Sequence, residues 1–163
     1  EDSMDSAQDY NEVNVLCVGL AKWSGLHAKV VKHRGLTMKF WFLGGSKIDQ
    51  EHWSNYFESA DIIVFTTAWD KEFSVAQQKD KLHALMAEDK LLSKPIQVRL
   101  HGQDPNAINK IDLHEMAASF DMSSVRTRSW QCHNVSDNDL TWLVHQAMIK
   151  VSIDIGSCPG SKA

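Results

Sequence analysis

The residues from Asn14 to Leu26 have the spacing in this chain that is best suited to chemistry. They predict an apolar strand, a turn that contains glycine and the start of a helix, which is where a nucleotide-binding domain places its phosphate loop, G-x-x-x-x-G-K-[S/T]. Gly19 is the first glycine of that pattern. Ser24 stands in the place of the second glycine, Gly25 in that of the lysine and Leu26 in that of the serine or threonine. The sequence therefore predicts the frame of a phosphate loop without the ammonium and hydroxyl groups that hold phosphates and Mg²⁺.

Other reactive side chains do not have catalytic or metal-binding spacing. His27 and His33 are six residues apart, which is not one face of a helix. Cys132 and His133 are adjacent, so on a strand they point to opposite faces. The nucleophile elbow G-x-S-x-G does not occur in the chain. The histidines are therefore interpreted as surface or loop residues, and neither a metal site nor a hydrolase is predicted.

The bulk properties of the 163 residues are those of one globular domain. Hydrophobic residues make up 43% of the chain and charged residues 23%, and the formal net charge of -4 disfavours general binding to nucleic acid. No apolar run reaches the ~20 residues that cross a bilayer, and no signal peptide is visible. Three widely separated cysteines argue against a disulfide framework and predict a reducing compartment.

Hydrophobic periodicity divides the chain into strands that alternate with helices. Strands are predicted at Val13–Val18, Leu36–Leu43, Ile62–Phe65, Ile96–Leu100 and Trp130–Cys132. Helices are predicted at Ser24–Arg34, Ser46–Phe57, Asp70–Leu92, Asp112–Phe120 and Asn138–Ile153. Residues 1–12 are predicted to be a flexible acidic tail or a partner-docking arm, residues 13–153 a single domain, and residues 154–163 a second flexible tail. This order predicts a doubly wound α/β sheet in which the loops after the strands meet at one edge, where such folds bind ligands.

Short motifs along the chain occur in the order of a known family. Trp41-Phe42-Leu43-Gly44-Gly45, with Trp53, Tyr56 and Phe57 downstream, resembles W-D-x-G-G-Q…W-x-x-Y-F. Ala87-Glu88-Asp89-Lys90-Leu91 resembles A-E-D-E-L, Gln103-Asp104 followed by Pro105-Asn106-Ala107 resembles the end of N-K-Q-D-L-P-N-A, and Arg126-Thr127-Arg128-Ser129-Trp130 resembles R-x-R-x-W. From about Val13 to Lys150 the chain thus resembles the ADP-ribosylation-factor-like (Arf-like) branch of the small GTPases. The resemblance implies a three-layer P-loop fold, with GTP or GDP and Mg²⁺ as cofactors.

The chain departs from this family at the residues that handle the nucleotide. The phosphate-binding lysine and the Mg²⁺-binding hydroxyl of the family fall on Gly25 and Leu26, which can supply neither. Phe42 replaces an acid near the metal, and Ser46 replaces the glutamine that orients the attacking water. The base-reading N-K-x-D becomes His101-Gly102-Gln103-Asp104, which keeps its aspartate and lacks its lysine. The vestigial pocket is predicted to comprise Gly19, Lys22, Trp23, Ser24, Gly25, Gly45, Gln103 and Asp104.

Two side chains of the degenerate loop leave alternatives open. Lys22 either points toward the pocket or is solvated. Trp23 stands where the family keeps small residues, and it either fills the emptied nucleotide cavity or lies exposed as a binding anchor. Backbone amides at the start of the predicted helix are expected still to attract an anion weakly.

The segment from Gly25 to Trp41 is shorter than its counterpart in the family. It has room for one short helix and one strand, whereas the family also has a switch loop and an antiparallel edge strand there. About five strands, all parallel, are therefore predicted, with switch I and the edge strand missing. Leu36–Leu43 is then expected to be a new edge strand, which a dimer or a complex covers.

These departures predict a catalytically inactive pseudo-GTPase that acts as a protein-interaction module and has no nucleotide cofactor or metal. Partner contacts are predicted at Trp41, Trp53, Tyr56 and Phe57, and at Lys29 and Lys32 on the basic face of the first helix. That face is either solvated or docks to an acidic partner or an anionic membrane. The alternative is a divergent GTPase of intracellular trafficking that binds GTP weakly through Gly19, Lys22 and Asp104. A third possibility is that the same rim binds another small anion.

Overall fold

A computed structural model describes residues 11–19, 25–33, 35–68, 74–101, 112–134 and 140–156 of the chain. Among them are six strands: β1 (Glu12–Gly19), β2 (Leu26–His33), β3 (Leu36–Leu43), β4 (Ile62–Ala68), β5 (Ile96–His101) and β6 (Trp130–Asn134). The same residues form four α-helices: α1 (Lys47–His52), α2 (Val75–Met86), α3 (Leu113–Ser119) and α4 (Thr141–Gly156). Short 3-10 helices occupy Trp53–Tyr56, Asp89–Leu91 and Met122–Ser124.

The six strands form one sheet in the order β2-β3-β1-β4-β5-β6. β1, β3, β4, β5 and β6 run parallel to one another, and β2 runs antiparallel beside β3. Helices lie on both faces of this sheet, so the three-layer α/β architecture implied by the resemblance is confirmed. Because parallel strands end at the same edge, the last residues of β1 and β4 lie side by side, with Gly19 opposite Thr66.

Two apolar cores, one on each face, hold the layers together. β1 and β4 are apolar at nearly every position, as expected of strands packed between two layers. One face packs against α2 and α3 through Leu82, Leu85 and Met116, which are all buried. The other face packs against α4 through Leu143 and Ala147. The inward residues predicted for the closing helix all belong to this second core: Leu140, Leu143, Val144, Ala147 and Val151.

The helix predicted at Ser24–Arg34 is wrong, because residues 26–33 form the strand β2. This strand pairs along its whole length with β3, from Leu26 opposite Leu43 to His33 opposite Leu36. Two residues connect the strands, and the second of them, Gly35, has the positive φ (79°) that tight hairpin turns require. The apparent helical spacing of apolar residues was therefore outweighed by pairing with a neighbouring strand.

The five predicted parallel strands are present as β1, β3, β4, β5 and β6, but the prediction that the edge strand is missing is wrong for the same reason. The antiparallel edge strand is present as β2, and β3 lies between β2 and β1 instead of at an edge. β1 ends at Gly19 and β2 begins at Leu26, so six residues join the two strands. The basic helix face predicted for Lys29 and Lys32 does not exist either, because residues three apart on a strand lie on opposite faces.

The helix ends are set by capping side chains. Ser46 accepts a hydrogen bond from the Asp49 N–H and so begins α1, as predicted. Ser74, together with Gln77, forms a capping box at the start of α2, which ends at Met86 rather than at Leu92. The predicted cap of that helix, Asp70, lies outside the described residues.

The predicted domain boundaries differ by a few residues from the ends of the outermost elements. β1 begins at Glu12, which the sequence assigned to the first tail. α4 continues to Gly156, three residues beyond its predicted end at Ile153. The domain as described therefore includes residues 12–156.

Candidate functional site

The carboxyl end of β1 can pack directly against β4 because Gly19 has no side chain. Gly19 has φ = +156°, and a Cβ atom there would lie 2.1 Å from the carbonyl oxygen of Thr66. Real Cβ atoms do not approach backbone oxygens so closely, so a larger residue would push the two strands apart. Gly19 is therefore required by the packing of the sheet, whether or not a phosphate lies beside it.

The next two positions of the phosphate-loop pattern lie at the start of a strand. Gly25 has φ = +79°, and its carbonyl oxygen accepts a hydrogen bond from the Gly44 N–H at 3.0 Å. Leu26 is the first residue of β2 and is 47% exposed. In a phosphate loop the corresponding lysine and hydroxyl residue begin a helix, whose free N–H groups bind the phosphates. Gly25 and Leu26 therefore offer neither the side chains nor the backbone geometry of that site.

A carboxylate lies beside this turn. The Asp49 Oδ2 atom accepts a hydrogen bond from the Gly25 N–H at 3.4 Å and from the Ser46 hydroxyl at 2.8 Å. The Ser46 oxygen in turn accepts from the Asp49 N–H at 3.1 Å. The negative charge of Asp49 thus lies beside Gly25, the residue that stands in the place of the lysine. Asp49 was missed in the sequence because its role depends on contact with a turn 24 residues earlier.

The nucleotide and Mg²⁺ implied by the resemblance do not fit the described part of this edge. Gly19, Gly25 and Leu26 supply no cation and no hydroxyl, and Asp49 adds a charge that repels phosphate. Gly45 uses its carbonyl oxygen to accept from the Gln50 side chain at 2.8 Å. The remaining residues predicted for the vestigial pocket lie outside the described residues: Lys22, Trp23, Ser24, Gln103 and Asp104.

The aromatic residues predicted as partner contacts divide into buried and half-buried ones. Trp53 and Phe57 are 3% and 5% exposed, and the Trp53 Nε1–H donates to the Gly44 carbonyl at 2.9 Å. Both side chains lie in the core, where a partner protein cannot contact them in this structure. Trp41 and Tyr56 are half-buried, with ring centroids 6.3 Å apart. A surface role for this motif therefore stays a prediction for Trp41 and Tyr56.

Other motif residues of the resemblance hold the fold together. The Trp41 Nε1–H donates to Asn14 Oδ1 at 3.1 Å and so joins β3 to β1. Arg128 donates to the carbonyl oxygen of Met86 at 2.8 Å, where α2 ends. Burial lowers the pKa of the Arg128 guanidinium, which is nevertheless charged at any physiological pH. These contacts give the motifs a structural purpose that needs no nucleotide.

The basic residues of β2 are exposed. Lys29 and Lys32 lie on the outermost strand of the sheet, and among the described residues neither forms an ion pair with an acidic side chain. The nearby Lys39 of β3 differs, because its ammonium group lies 2.8 Å from the carboxylate of Glu12. The adjacent β-branched residues Val30 and Val31 were the sequence signal that could have placed these lysines on a strand.

The described residues contain neither a group that could hold a metal ion nor an activated thiol. No three histidine, cysteine, aspartate or glutamate side chains come close enough, within those ranges, to hold a metal ion. Burial raises the pKa of the Cys17 thiol to about 12, although the charge of Arg99 opposes the shift, and burial raises that of Cys132 to about 11. Both thiols are therefore neutral and poor nucleophiles at physiological pH.

Comparison with known proteins agrees with the fold. The family model described as the ADP-ribosylation factor family matches residues 12–150. ADP-ribosylation factor-like protein 3 of Chlamydomonas reinhardtii is 27% identical over 119 residues, which cover 73% of this chain and 66% of that protein. ADP-ribosylation factor-like protein 2 of Drosophila melanogaster is 27% identical over 113 residues, covering 69% of this chain and 60% of that protein. In both cases the match spans less than two thirds of the relative. None of the described helices is long and apolar enough to cross a membrane.

Proposed function

The chain belongs to the ADP-ribosylation factor family, and from this premise we propose that it is a catalytically inactive member, a pseudo-GTPase that acts as a protein-interaction module without binding GTP. One observation carries the proposal: strand β2 begins at Leu26, in the register where a phosphate loop has its Mg²⁺-binding hydroxyl and the start of its helix. The six residues that join β1 to β2 leave no room there for a helix of ordinary length. Among the described residues, Gly25 and Leu26 therefore do not begin a helix that could orient N–H groups toward phosphates.

The binding free energy that the missing groups would supply supports the proposal. Charge-assisted contacts contribute roughly 1.5–3 kcal/mol each. The lysine, the metal-binding hydroxyl and the metal-linked acid together account for roughly 6 kcal/mol, or about four decades of affinity. The helix N-terminus adds a further loss, and the carboxylate of Asp49 beside Gly25 repels what remains of the attraction. A loss of this size would take the affinity for a nucleotide well below that of a site that keeps these groups.

A protein without a phosphate sensor binds its partners in one state. In a GTPase the terminal phosphate orders switch segments, and partners recognise the ordered form. A site that does not hold the phosphate gives the two forms no difference in free energy, so no switch follows. We infer constitutive binding to other proteins, in an intracellular setting such as vesicle trafficking.

Titration with a fluorescent GTP analogue tests the proposal. We expect no saturable signal up to about 100 μM protein, with or without Mg²⁺, because the site lacks the groups named above. The Chlamydomonas reinhardtii relative, measured under the same conditions, is the positive control. Saturable binding that requires Mg²⁺ would instead establish the alternative, a divergent GTPase that binds weakly through Lys22 and Asp104, and would rule out the inactive module.

Binding of a small anion other than a nucleotide needs a separate test. Thermal-shift measurements with GTP, GDP, ATP and inorganic phosphate compare the nucleotides with the simplest anion. We expect no ligand among the four to raise the melting temperature. A shift produced by phosphate as strongly as by GTP would point to a general anion site and would contradict the absence of binding at this rim.

A further inference from the structure

Helix α4 is apolar on two sides. Its inner side, which includes Leu143 and Ala147, packs against the sheet. Its outer side carries Met148, Ile149 and Ile153, which are 58%, 42% and 63% exposed. Ile149 and Ile153 are four residues apart, so their side chains lie next to each other along the helix. A helix on the surface of a domain usually presents polar residues opposite its core side, so we expect another apolar surface to cover the outer side of α4.

A groove lies between this outer side and the turn that leads into β5. It is an open cavity of about 590 Å³ at the amino ends of β4 and β5, and we call it the α4 groove. The residues that define it here are Ile62, Leu92, Lys94, Pro95, Ile149 and Ile153. Leu92 is 53% exposed, so apolar side chains from both the turn and the helix are accessible within one concave surface. Exposed apolar surface of this kind is typical of an interaction site.

The handedness of the fold explains why this face of the sheet has room for a second helix. α2 and α3 connect parallel strands in the order β4, β5, β6, and both pack on the face opposite α4. The step from β1 to β3 runs the other way across the sheet, so a right-handed crossover there belongs on the face of α4. Six residues join β1 to β2, and α4 is the one described helix that contributes to the core on that face. A helix about 10 Å wide covers less than half of six strands, which span roughly 24 Å.

Both acids that line the α4 groove have a lysine partner. The Asp61 carboxylate lies 3.7 Å from the Lys150 ammonium group, and the Glu58 carboxylate lies 3.9 Å from that of Lys90. Lys150 has a second carboxylate, that of Asp154, at 3.0 Å. These pairs neutralise the charged residues around the groove, with Lys94 as the exception among the described residues.

Lys94 is a half-buried cation of the groove. Its ammonium group donates to the backbone carbonyls of Phe57 at 2.8 Å and Glu58 at 3.4 Å. Within the described part of the chain, no carboxylate oxygen lies within 4.0 Å of it. Burial disfavours the charged form and lowers the pKa of Lys94. A carboxylate supplied by a partner would balance this charge, so the groove favours an acidic occupant.

We propose that the α4 groove receives an amphipathic helix of a partner protein, whose apolar side contacts Leu92, Ile149 and Ile153 and whose acidic residue faces Lys94. Recognition of this kind combines apolar anchors one turn apart with a charge at the rim. The groove would be the contact surface of the interaction module, and its assignment therefore rests on the proposed function. It lies at the amino ends of the strands, whereas Gly19 ends β1 at the opposite edge of the sheet.

The shape and the charge of the groove disfavour a second copy of this chain as the occupant. The α4 helix of another copy is packed against its own sheet, so it cannot enter a concave surface as a free helix can. A two-fold dimer would also bring the Lys94 of each copy to one interface without an unpaired acid from the described residues to match it.

Selection from a display library of 18-residue helical peptides tests the proposal. The library keeps a helix-forming background of alanine, glutamine and lysine, and it varies the residues of one face. We expect binders to carry apolar residues three or four positions apart with a glutamate or aspartate beside them. A fluorescein-labelled synthetic copy of the most enriched peptide is the probe for the measurements that follow.

A matched pair of variants shows whether the probe occupies the groove. Ile149→Gln combined with Ile153→Gln should weaken the probe at least tenfold. The control, Val30→Gln combined with Ile48→Gln, removes two exposed apolar side chains on other elements and should leave binding within about twofold. All four side chains are exposed, so we expect both variants to fold. A selection that yields no peptide with this dependence on α4 would overturn the proposal.

Changes in the probe test its charge and its conformation on the unaltered protein. Glutamine in place of the acid should weaken binding at least fivefold, and in a Lys94→Met variant that difference should fall below twofold. The peptide comparison is sufficient by itself should Lys94→Met not fold. Proline in the middle of the probe should abolish binding, because it breaks a helix. Equal binding of the glutamine peptide or of the proline peptide would overturn the proposal.

Sedimentation velocity, and flotation with vesicles of phosphatidylcholine and phosphatidylserine, test the other occupants. A dimer or a vesicle complex that Ile149→Gln with Ile153→Gln disrupts would assign the outer side of α4 to a second copy or to a membrane, and would overturn the partner helix. GTP titration of the same protein distinguishes the two proposals. Saturable GTP binding that requires Mg²⁺, together with probe binding in the groove, would overturn the inactive module alone. Absence of both would overturn the partner helix alone.

Discussion

At Gly19 the backbone of β1 lies so close to β4 that one added methyl group would disrupt the packing of the two strands. Its φ of +156° and the 2.1 Å separation of a Cβ atom from the Thr66 oxygen both require glycine. Gly35 makes a useful comparison, because its φ is also positive but a Cβ atom there would meet nothing within 4 Å. The two glycines separate the effect of backbone conformation from that of crowding.

Gly19→Ala should therefore destabilise the protein much more than Gly35→Ala. We expect a loss of about 3 kcal/mol or more for the first, because backbone atoms cannot move aside, and about 1 kcal/mol for the second, which carries only the conformational penalty. Chemical denaturation of both variants beside the unaltered chain measures the difference. Equal losses would mean that β1 and β4 can separate without cost, contrary to the contact described above.

The sequence placed Gly19 in the phosphate-loop pattern, and the structure adds that Thr66 leaves no room there for a side chain. The pattern of residue types shows that small residues are needed, and it does not show what approaches them. Asp49 illustrates the converse, since nothing in its neighbourhood in the chain links it to Gly25. Residues whose importance comes from distant contacts become visible only when the chain is folded.

The elements of this fold differ in how strongly their own sequences determine them. α2 begins with a complete capping box, in which Ser74 accepts from the Gln77 N–H and the Gln77 side chain accepts from the Ser74 N–H, both at 3.1 Å. β2, in contrast, has apolar residues at helical spacing and becomes a strand through its partner β3. The local sequence therefore contains the signal that begins α2, although the prediction placed that start at Asp70, and the local spacing of apolar residues misassigned residues 26–33.

Loss of the cap at Ser74 should be measurable. Ser74→Ala leaves the backbone N–H of Gln77 without its side-chain acceptor, and we expect a loss of about 1 kcal/mol. Ser119→Ala is the matched control at the end of α3, where the hydroxyl only donates to the Glu115 carbonyl; its effect should stay within about 0.5 kcal/mol. Urea unfolding followed by circular dichroism compares the two. A loss at Ser119 as large as that at Ser74 would contradict the capping role.

At the scale of the whole molecule, the sheet and both cores followed from the sequence. The alternation of apolar segments with turn residues placed five of the six strands within a few residues, and the periodicity of the last helix identified its buried face. The prediction failed between β1 and β3, where the chain is shorter than its counterpart in the family. The number of residues there fits either a helix or an antiparallel strand. Only the pairing of β2 with β3 decides between them.

The buried thiols report on the integrity of the whole fold. Cys17 and Cys132 are 3% and 8% exposed, and burial raises the pKa of each thiol, so both stay protonated at pH 8. In a Cys158→Ser variant, which removes the third cysteine, we expect no reaction with a disulfide-exchange reagent in buffer and two thiols per chain in guanidinium chloride. Rapid labelling in buffer would show that one of the cores opens without global unfolding.

The two-residue connection between β2 and β3 also affects how the chain is made. A hairpin of neighbouring strands closes within about 1–10 μs, long before a ribosome has added the residues of β4. We therefore expect the hairpin to begin forming while the parallel strands that complete the sheet are still to be synthesised. Because lysines on an edge strand discourage pairing between chains, we expect Lys29 and Lys32 to limit such pairing among the emerging chains of one polysome.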